Sequence, residues 1–272
     1  MNAAIAAARQ GCNVAYVTQL GDDEFGRQFL KLWGEEGVDV SGVTIDRDAH
    51  TGVYFIGYGA HGHVFSYLRA ESAASRMRPD DLPIDLIRSA RFFHTSAISQ
   101  AISASACDAV FAAIETASAA GVSVAYDSNL RLRLWPLPRA KAIINATIKL
   151  ADYFLPSIED VKAISGLNDP EAIVDWSHTL GARYVALKLG AQGVIASDGH
   201  SRQLISGHAV DCVDATGAGD CFAGCLLARL TQGEDFWSAV RYANAAAALT
   251  TTGYGAVAPL PRPADVIALL GR

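Results

Sequence analysis

Short, nearly uninterrupted apolar runs alternate with helix-patterned segments along most of this chain, and that alternation restricts what it can fold into. The runs at 91–95, 122–127, 184–189 and 193–197 lack the every-second-residue polarity of a strand with one wet face. They predict strands buried on both sides, in a mostly parallel sheet covered by helices. Between and before them the pattern predicts helices over 103–120, 138–150, 159–165 and 170–180, and a short strand at 153–155. Upstream, 13–18 reads as a strand and 23–36 as a helix with Phe25, Phe29, Leu32 and Trp33 on one face. Helices are expected near the end over 218–229, 236–252 and 264–270.

One segment breaks the rhythm. Residues 51–68 hold two β-rich runs around a glycine-containing turn, which predicts a hairpin standing off the main sheet as a small lid. The expected organisation is an α/β domain from 1–50 and 71–272 with a β lid from 51–70. His61 and His63 flank Gly62 at the hairpin tip, but without Cys or carboxylate company they do not complete a metal site.

At 272 residues, one α/β domain with an appendage accounts for the chain. With 51% hydrophobic and 18% charged residues it has the makings of a packed core. The formal net charge of -6 offers no basic surface for a nucleic-acid backbone, so no nucleic-acid partner is expected. Cys12, Cys107, Cys212, Cys221 and Cys225 contain no Cys-x-x-Cys pair, which suits a reducing cytoplasm better than a disulfide framework. No apolar stretch approaches a membrane span, and residues 1–10 read as an amphipathic helix rather than a leader.

The most informative segment is Asp214-Ala215-Thr216-Gly217-Ala218-Gly219-Asp220, followed by the small and apolar Cys221-Phe222-Ala223-Gly224. A glycine-rich turn opening a buried helix aims consecutive amides at one point, where the helix dipole favours an anion. A carboxylate beside a phosphate site would repel its ligand unless it had a task. Accepting the proton of an attacking hydroxyl is such a task. Cys221 and Cys225, one helical turn apart below this turn, fit packing better than redox chemistry.

This stretch resembles the C-terminal signature of the PfkB/ribokinase family of sugar kinases. The resemblance spans essentially the whole chain, since Gly21-Asp22-Asp23-Glu24-Phe25-Gly26 and Lys188-Leu189-Gly190-Ala191-Gln192-Gly193 are similar to other family motifs and fall in the family's order. It implies a ribokinase-like three-layer α/β sandwich with a small β lid. It also implies that Asp220 is the catalytic base and that Gly217, Ala218 and Gly219 form an anion hole for the transferred phosphoryl group. ATP and magnesium are the implied cofactors, with a monovalent cation at the 214–216 backbone left open.

On the nucleotide side, Gly190 and Gly193 would bring backbone close to ATP with Lys188 meeting phosphate charge, although a plain hairpin turn also accounts for the two glycines. Asn244 matches an Asn bordering the nucleotide in related kinases, or is a solvated polar residue on an Ala-rich helix. Ser157 and Asp160 stand where the family often carries Asn-x-x-Glu, so Asp160 is expected to reach magnesium through a water. Ser157 also suits a helix cap.

For the acceptor, the segments 67–74 and 127–135 resemble 2-keto-3-deoxygluconate kinases, with Tyr54, Tyr67, Arg69 and Arg131 as substrate residues. An arginine fork selects a sugar acid over a neutral sugar. Surface pairing of Arg69 with Glu71 or Asp80, and a plain loop cation at Arg131, stay open, and fructose is the alternative substrate because fructokinases share the 127–135 pattern. The family normally begins with a strand and a Gly-Gly sugar motif before the helix that starts this chain. Their absence makes a non-catalytic sugar- or nucleotide-binding relative the rival expectation, against which the intact 214–220 turn speaks. A homodimer through the lid is implied by the resemblance alone.

Overall fold

The computed structural model describes residues 1–59 and 62–271; His61 and the side chain of His63 lie outside the described residues. The strands are β1 (Thr18–Gly21), β2 (Val43–Asp46), β3 (Val53–Gly59), β4 (Gly62–Leu68), β5 (Phe92–Ser96), β6 (Ser123–Asp127), β7 (Tyr153–Phe154), β8 (Tyr184–Lys188), β9 (Gly193–Ser197) and β10 (Arg202–Ser206). The helices are α1 (Asn2–Arg9), α2 (Glu24–Glu35), α3 (Ala73–Arg76), α4 (Ile84–Ser89), α5 (Ala97–Ala101), α6 (Ala104–Ala119), α7 (Leu137–Ile148), α8 (Ile158–Ser165), α9 (Pro170–Leu180), α10 (Ala218–Thr231), α11 (Phe236–Thr250) and α12 (Pro263–Leu269).

Six strands form the main sheet in the order β10-β9-β8-β7-β6-β5. From β5 to β8 every neighbouring pair is parallel, while β9 and β10 turn back antiparallel. The parallel pair β1-β2 and the antiparallel hairpin β3-β4 are separate two-stranded sheets.

Alternation along the strands builds two cores. Ala125, Ala186, Val194 and Ala196 point into one, shared with Ile5 of α1, Trp33 of α2, Phe222 and Leu226 of α10, and Ala243 of α11. Val124, Tyr126, Val185, Leu187 and Ile195 point into the other, with Ile114 of α6, Ile144 of α7, Ile164 of α8 and Ile173 of α9. Apolar residues on both strand faces are therefore both used, which is the three-layer α/β sandwich the pattern predicts. The small side chains on the first face let α10 and α11 lie close to the sheet. A Cβ at Gly224 would overlap the carbonyl of Ala3, so α1 sits directly on α10.

Several expectations need correction. The run at 13–18 contributes an isolated bridge at Ala15, and the strand proper is displaced to β1. Phe25 lies on the outer side of α2, 48% exposed, while Trp33 is buried. The strands β2 and β10 and the short helices α3, α4 and α5 have no counterpart in the sequence reading. Among the described residues, no helix is long and apolar enough to cross a membrane.

Asp23, Thr51 and the glycines between 21 and 26 tie the hairpin to the body. Asp23 caps α2 by accepting from the Gly26 amide at 2.8 Å, and its other oxygen accepts from the Thr51 amide at 2.7 Å. Gly21 donates its amide to the Thr51 hydroxyl at 2.9 Å. A side chain at Gly21 or Gly26 would overlap backbone, so the Gly-Asp-Asp-x-x-Gly turn serves as the anchor for the start of β3.

Candidate active site

The site lies at the carboxyl ends of the parallel strands, where β6 ends in Asp127 and β8 in Lys188. The first turn of α10 points at the same end. Gly217 is the residue before the helix and has φ 82, a left-handed conformation that suits glycine; a Cβ there would stand 3.0 Å from the Ala256 backbone. Asp214 holds the turn: its Oδ1 accepts from the Thr216 amide at 2.9 Å and its Oδ2 from the Gly255 amide at 2.9 Å. In the first turn of α10 the Ala218 amide, predicted to face the anion, donates instead to the Ala215 carbonyl at 3.2 Å, whereas the amides of Gly219 and Asp220 have no intrahelical acceptor, the condition under which a helix N-terminus favours an anion.

Asp220 Oδ2 accepts from Asn2 Nδ2 of α1 at 2.8 Å. Asn2 is 9% exposed, and its own Oδ1 is buried with no hydrogen-bond partner. Tyr54 of β3 and Tyr67 of β4 come together here with ring centroids 6.1 Å apart, and the Arg69 guanidinium stands 5.6 Å over the Tyr54 ring. Burial raises the Tyr54 hydroxyl above its ordinary value, Asp220 reinforces this, and Arg69 and Arg131 oppose it. Arg69 makes no ion pair among the described residues and its Nε is buried without a partner, so pairing with Glu71 or Asp80 is not its task. Arg131 Nη1 donates to the Leu130 carbonyl at 2.8 Å and lines a cleft with Tyr67, Leu132 and Arg133. Tyr54, Tyr67, Arg69, Arg131 and Asp220 are thereby brought to one place.

The other side of the site is built around the end of β8. Gly190 and Gly193 have φ 60 and 104, and a Cβ on Gly193 would overlap the Ile205 carbonyl of β10. The Gly207 amide donates to the Gln192 carbonyl at 3.1 Å, closing the turn against the end of β10. Asn244 of α11 is buried, not solvated, and donates to the Ser206 carbonyl at 2.8 Å, so it borders this turn from behind. Lys188 turns away from solvent and sets its ammonium 3.2 and 3.1 Å from the two carboxylate oxygens of Asp127.

Ser157 caps α8 by accepting from the Asp160 amide at 3.4 Å. Asp160 Oδ2 accepts from the Ser128 hydroxyl at 2.8 Å and the Leu130 amide at 3.1 Å, which holds the loop after β6. Among the described residues no three His, Cys, Asp or Glu side chains form a cation cage. Magnesium carried on phosphates keeps most of its waters and takes only one or two carboxylates, so this donor set fits a nucleotide-borne ion. Cys221 and Cys225 are buried with sulfurs 3.8 Å apart, within the core under α10.

Asn2 and Asp127 are site residues that the sequence reading missed. A polar residue on an Ala-rich helix was the available signal for Asn2. Asp127 stood in the acceptor-side pattern, but nothing in the sequence pairs it with a lysine 61 positions away.

A helix N-terminus with an adjoining carboxylate, at the strand ends of a three-layer α/β sandwich, has the parts that phosphoryl transfer needs. The family model described as "pfkB family carbohydrate kinase" matches residues 1–263. The chain belongs to the pfkB family of carbohydrate kinases and is an ATP-dependent sugar kinase. It is 36% identical to Probable fructokinase-4 of Arabidopsis thaliana over 99% of this chain and 85% of that one. The fructokinase of Vibrio cholerae O395, solved with fructose, ADP and calcium ion, superposes with TM-score 0.90 at 30% identity, covering 99% of this chain and 89% of that one. A ribokinase II of E. coli in complex with ATP and Mg2+ superposes with TM-score 0.92 at 25% identity, covering 99% and 87%. The expected likeness to 2-keto-3-deoxygluconate kinases is corrected by these relatives, whose names are those of fructokinases.

Proposed function

We propose that the chain transfers the γ-phosphoryl group of ATP to a primary hydroxyl of fructose. The observation that carries the reaction is Asp220 at the first turn of α10, its carboxylate held by Asn2 and facing the Tyr54, Tyr67 and Arg69 cluster. Asp220 takes the proton of the acceptor hydroxyl, and the amides of Gly217 and Gly219 meet charge on the phosphoryl oxygens. The 190–193 turn, Lys188, Ser157 and Asn244 form the nucleotide side, and Asp160 would be the carboxylate that holds magnesium through a water, where the metal would neutralise phosphate charge. Fructose is supported by relatives named fructokinases, one of them solved with fructose and ADP.

A second reading, 2-keto-3-deoxygluconate, is favoured by one feature. Arg69 brings a guanidinium without an acidic partner to the sugar side, and such a group matches a carboxylate. The hairpin acts as the lid in either reading, a homodimer through it follows the family resemblance, and the cytoplasm suits the five free thiols.

ADP release coupled to NADH oxidation, measured on fructose and on 2-keto-3-deoxygluconate, tests this. The expected result is a higher kcat/KM on fructose and a loss of about 100-fold or more in kcat for Asp220→Asn. Preference for the sugar acid, abolished by Arg69→Ala, would establish the second reading. No sugar-dependent turnover would leave a binding protein in place of a kinase, and equal turnover by Asp220→Asn would remove Asp220 as the base.

A further inference from the structure

Asp127 closes β6 and Lys188 closes β8, two parallel strands with β7 between them, so both side chains stand at the ligand end of the sheet. The two side chains are only 6% and 14% exposed. Their position relative to α10 is close: the Lys188 nitrogen lies 3.3 Å from where a Cβ on Gly219 would stand, and Asp127 Oδ2 lies 4.0 Å from it. The Phe222 ring, one turn into α10, has its centroid 6.0 Å from the same ammonium. The absence of a side chain at Gly219 leaves the cation open to the space that the first-turn amides face.

Stability does not require such a pair. Well-packed apolar residues of similar volume often serve as well as a buried ion pair, because desolvation consumes most of the Coulomb gain. The surroundings also need a cation. Burial pushes the Asp127 carboxyl above its ordinary value, Lys188 opposes that, and Asp220 and Asp160 add to it. Three carboxylates would repel an arriving triphosphate if no positive charge stood among them.

We propose that Lys188 is a catalytic cation for phosphoryl transfer and that Asp127 is the positioning residue that holds its ammonium against the first turn of α10. This rests on the kinase reading of Asp220 and deepens it. When the nucleotide binds, the ammonium bridges Asp127 and an oxygen of the γ-phosphoryl group. The bond from the sugar oxygen to phosphorus forms, the bond from phosphorus to the bridging oxygen of ADP breaks, and the hydroxyl proton passes to Asp220. Asp127 does not touch the substrate; it keeps a flexible side chain at one point, so less ordering remains for the transition state.

The test compares Lys188→Met, Lys188→Arg, Asp127→Asn and the double variant Asp127→Asn/Lys188→Met in the full chain. Steady-state kinetics are combined with calorimetric binding of ADP and of the β,γ-imido analogue of ATP. Lys188→Met is expected to lose about 100-fold in kcat, with fructose KM and ADP affinity each within about 3-fold of wild type and the imido analogue bound more weakly. Lys188→Arg should recover part of the rate. Asp127→Asn should lose about 10-fold, and the double variant should be no slower than Lys188→Met, since Asp127 acts through the lysine. Wild-type turnover in Lys188→Met, additive losses in the double variant, or equal weakening of ADP and the imido analogue would each overturn the proposal. If Lys188→Met does not fold, the double variant, with both charges removed, takes its place and the same loss is expected. A wild-type protein that phosphorylates no sugar defeats the kinase reading, and the contrast between ADP and imido-analogue binding still decides the role of Lys188.

Discussion

Gly217 shows how closely conformation and chemistry are joined at the scale of one residue. Its φ of 82 turns the chain into α10, and the Ala256 backbone closes the space where a Cβ would stand. Gly217→Ala is expected to cost about 1–2 kcal/mol from the left-handed conformation alone, with a further loss from the contact at Ala256. Urea denaturation measures this, and kcat should fall as well although Asp220 is untouched. Gly190 makes the contrast, since its φ of 60 is also left-handed but nothing lies within 4 Å of an added Cβ. The turn at Gly217 was legible in the sequence because glycines before a small-residue helix are a local pattern, whereas Gly193 stands between two strands, where a plain hairpin turn accounted for it equally well. Asn2 and Asp127 were not, because each acquires its role from a partner more than 60 positions away.

At the scale of elements, the loop after β6 is held by two hydrogen bonds between units that are distant in sequence. Asp160, in the first turn of α8, fixes the loop after β6 through Ser128 and Leu130, and that loop carries Arg131 into the cleft. Asp160→Ala leaves a buried hydroxyl and an amide without their acceptor, a loss of about 1–3 kcal/mol. The expected kinetic result is a raised fructose KM together with a lowered kcat, since the same carboxylate is the one proposed to reach magnesium through a water, read by steady-state kinetics. Strong apolar runs placed β6, β8 and β9 within a residue or two, because both faces of those strands are buried. By contrast, Val-Thr-Ile-Asp of β2 and Arg-Gln-Leu-Ile-Ser of β10 carry mixed polarity and lie at sheet edges, where partner strands rather than periodicity define them. The displacement of the first strand to Thr18–Gly21 has the same origin, since those residues pair with β2 and the more apolar run before them makes only a bridge.

Across the whole molecule, burial at the strand ends makes stability depend on pH. His94 of β5 is lowered by burial to about 4 from an ordinary 6.5, with Asp220 and the Ala125 carbonyl opposing the shift. Its folded value lies below its unfolded one, so the unfolded chain takes up the proton first as pH falls. The contribution of neutral His94 is complete above about 6.5 and is lost as pH falls towards about 4, on the order of 3 kcal/mol at most. Urea midpoints measured from pH 7 to pH 4.5 should fall, and His94→Gln should flatten that fall; an unchanged slope would exclude His94 as its source.

What the sequence determined alone was whatever depends on neighbours in the chain: the α/β layering, written in runs with two apolar faces, and the 214–220 turn, written in glycines and a carboxylate. The resemblance carried by that turn reached the kinase family, while the relatives moved the substrate from a sugar acid towards fructose. Only the tertiary structure brought Asn2 to Asp220, Asp160 to the acceptor loop and Lys188 to Asp127. Those contacts form because parallel strands end at one edge of the sheet, and burial there makes each charge depend on a partner that the chain supplies from far away.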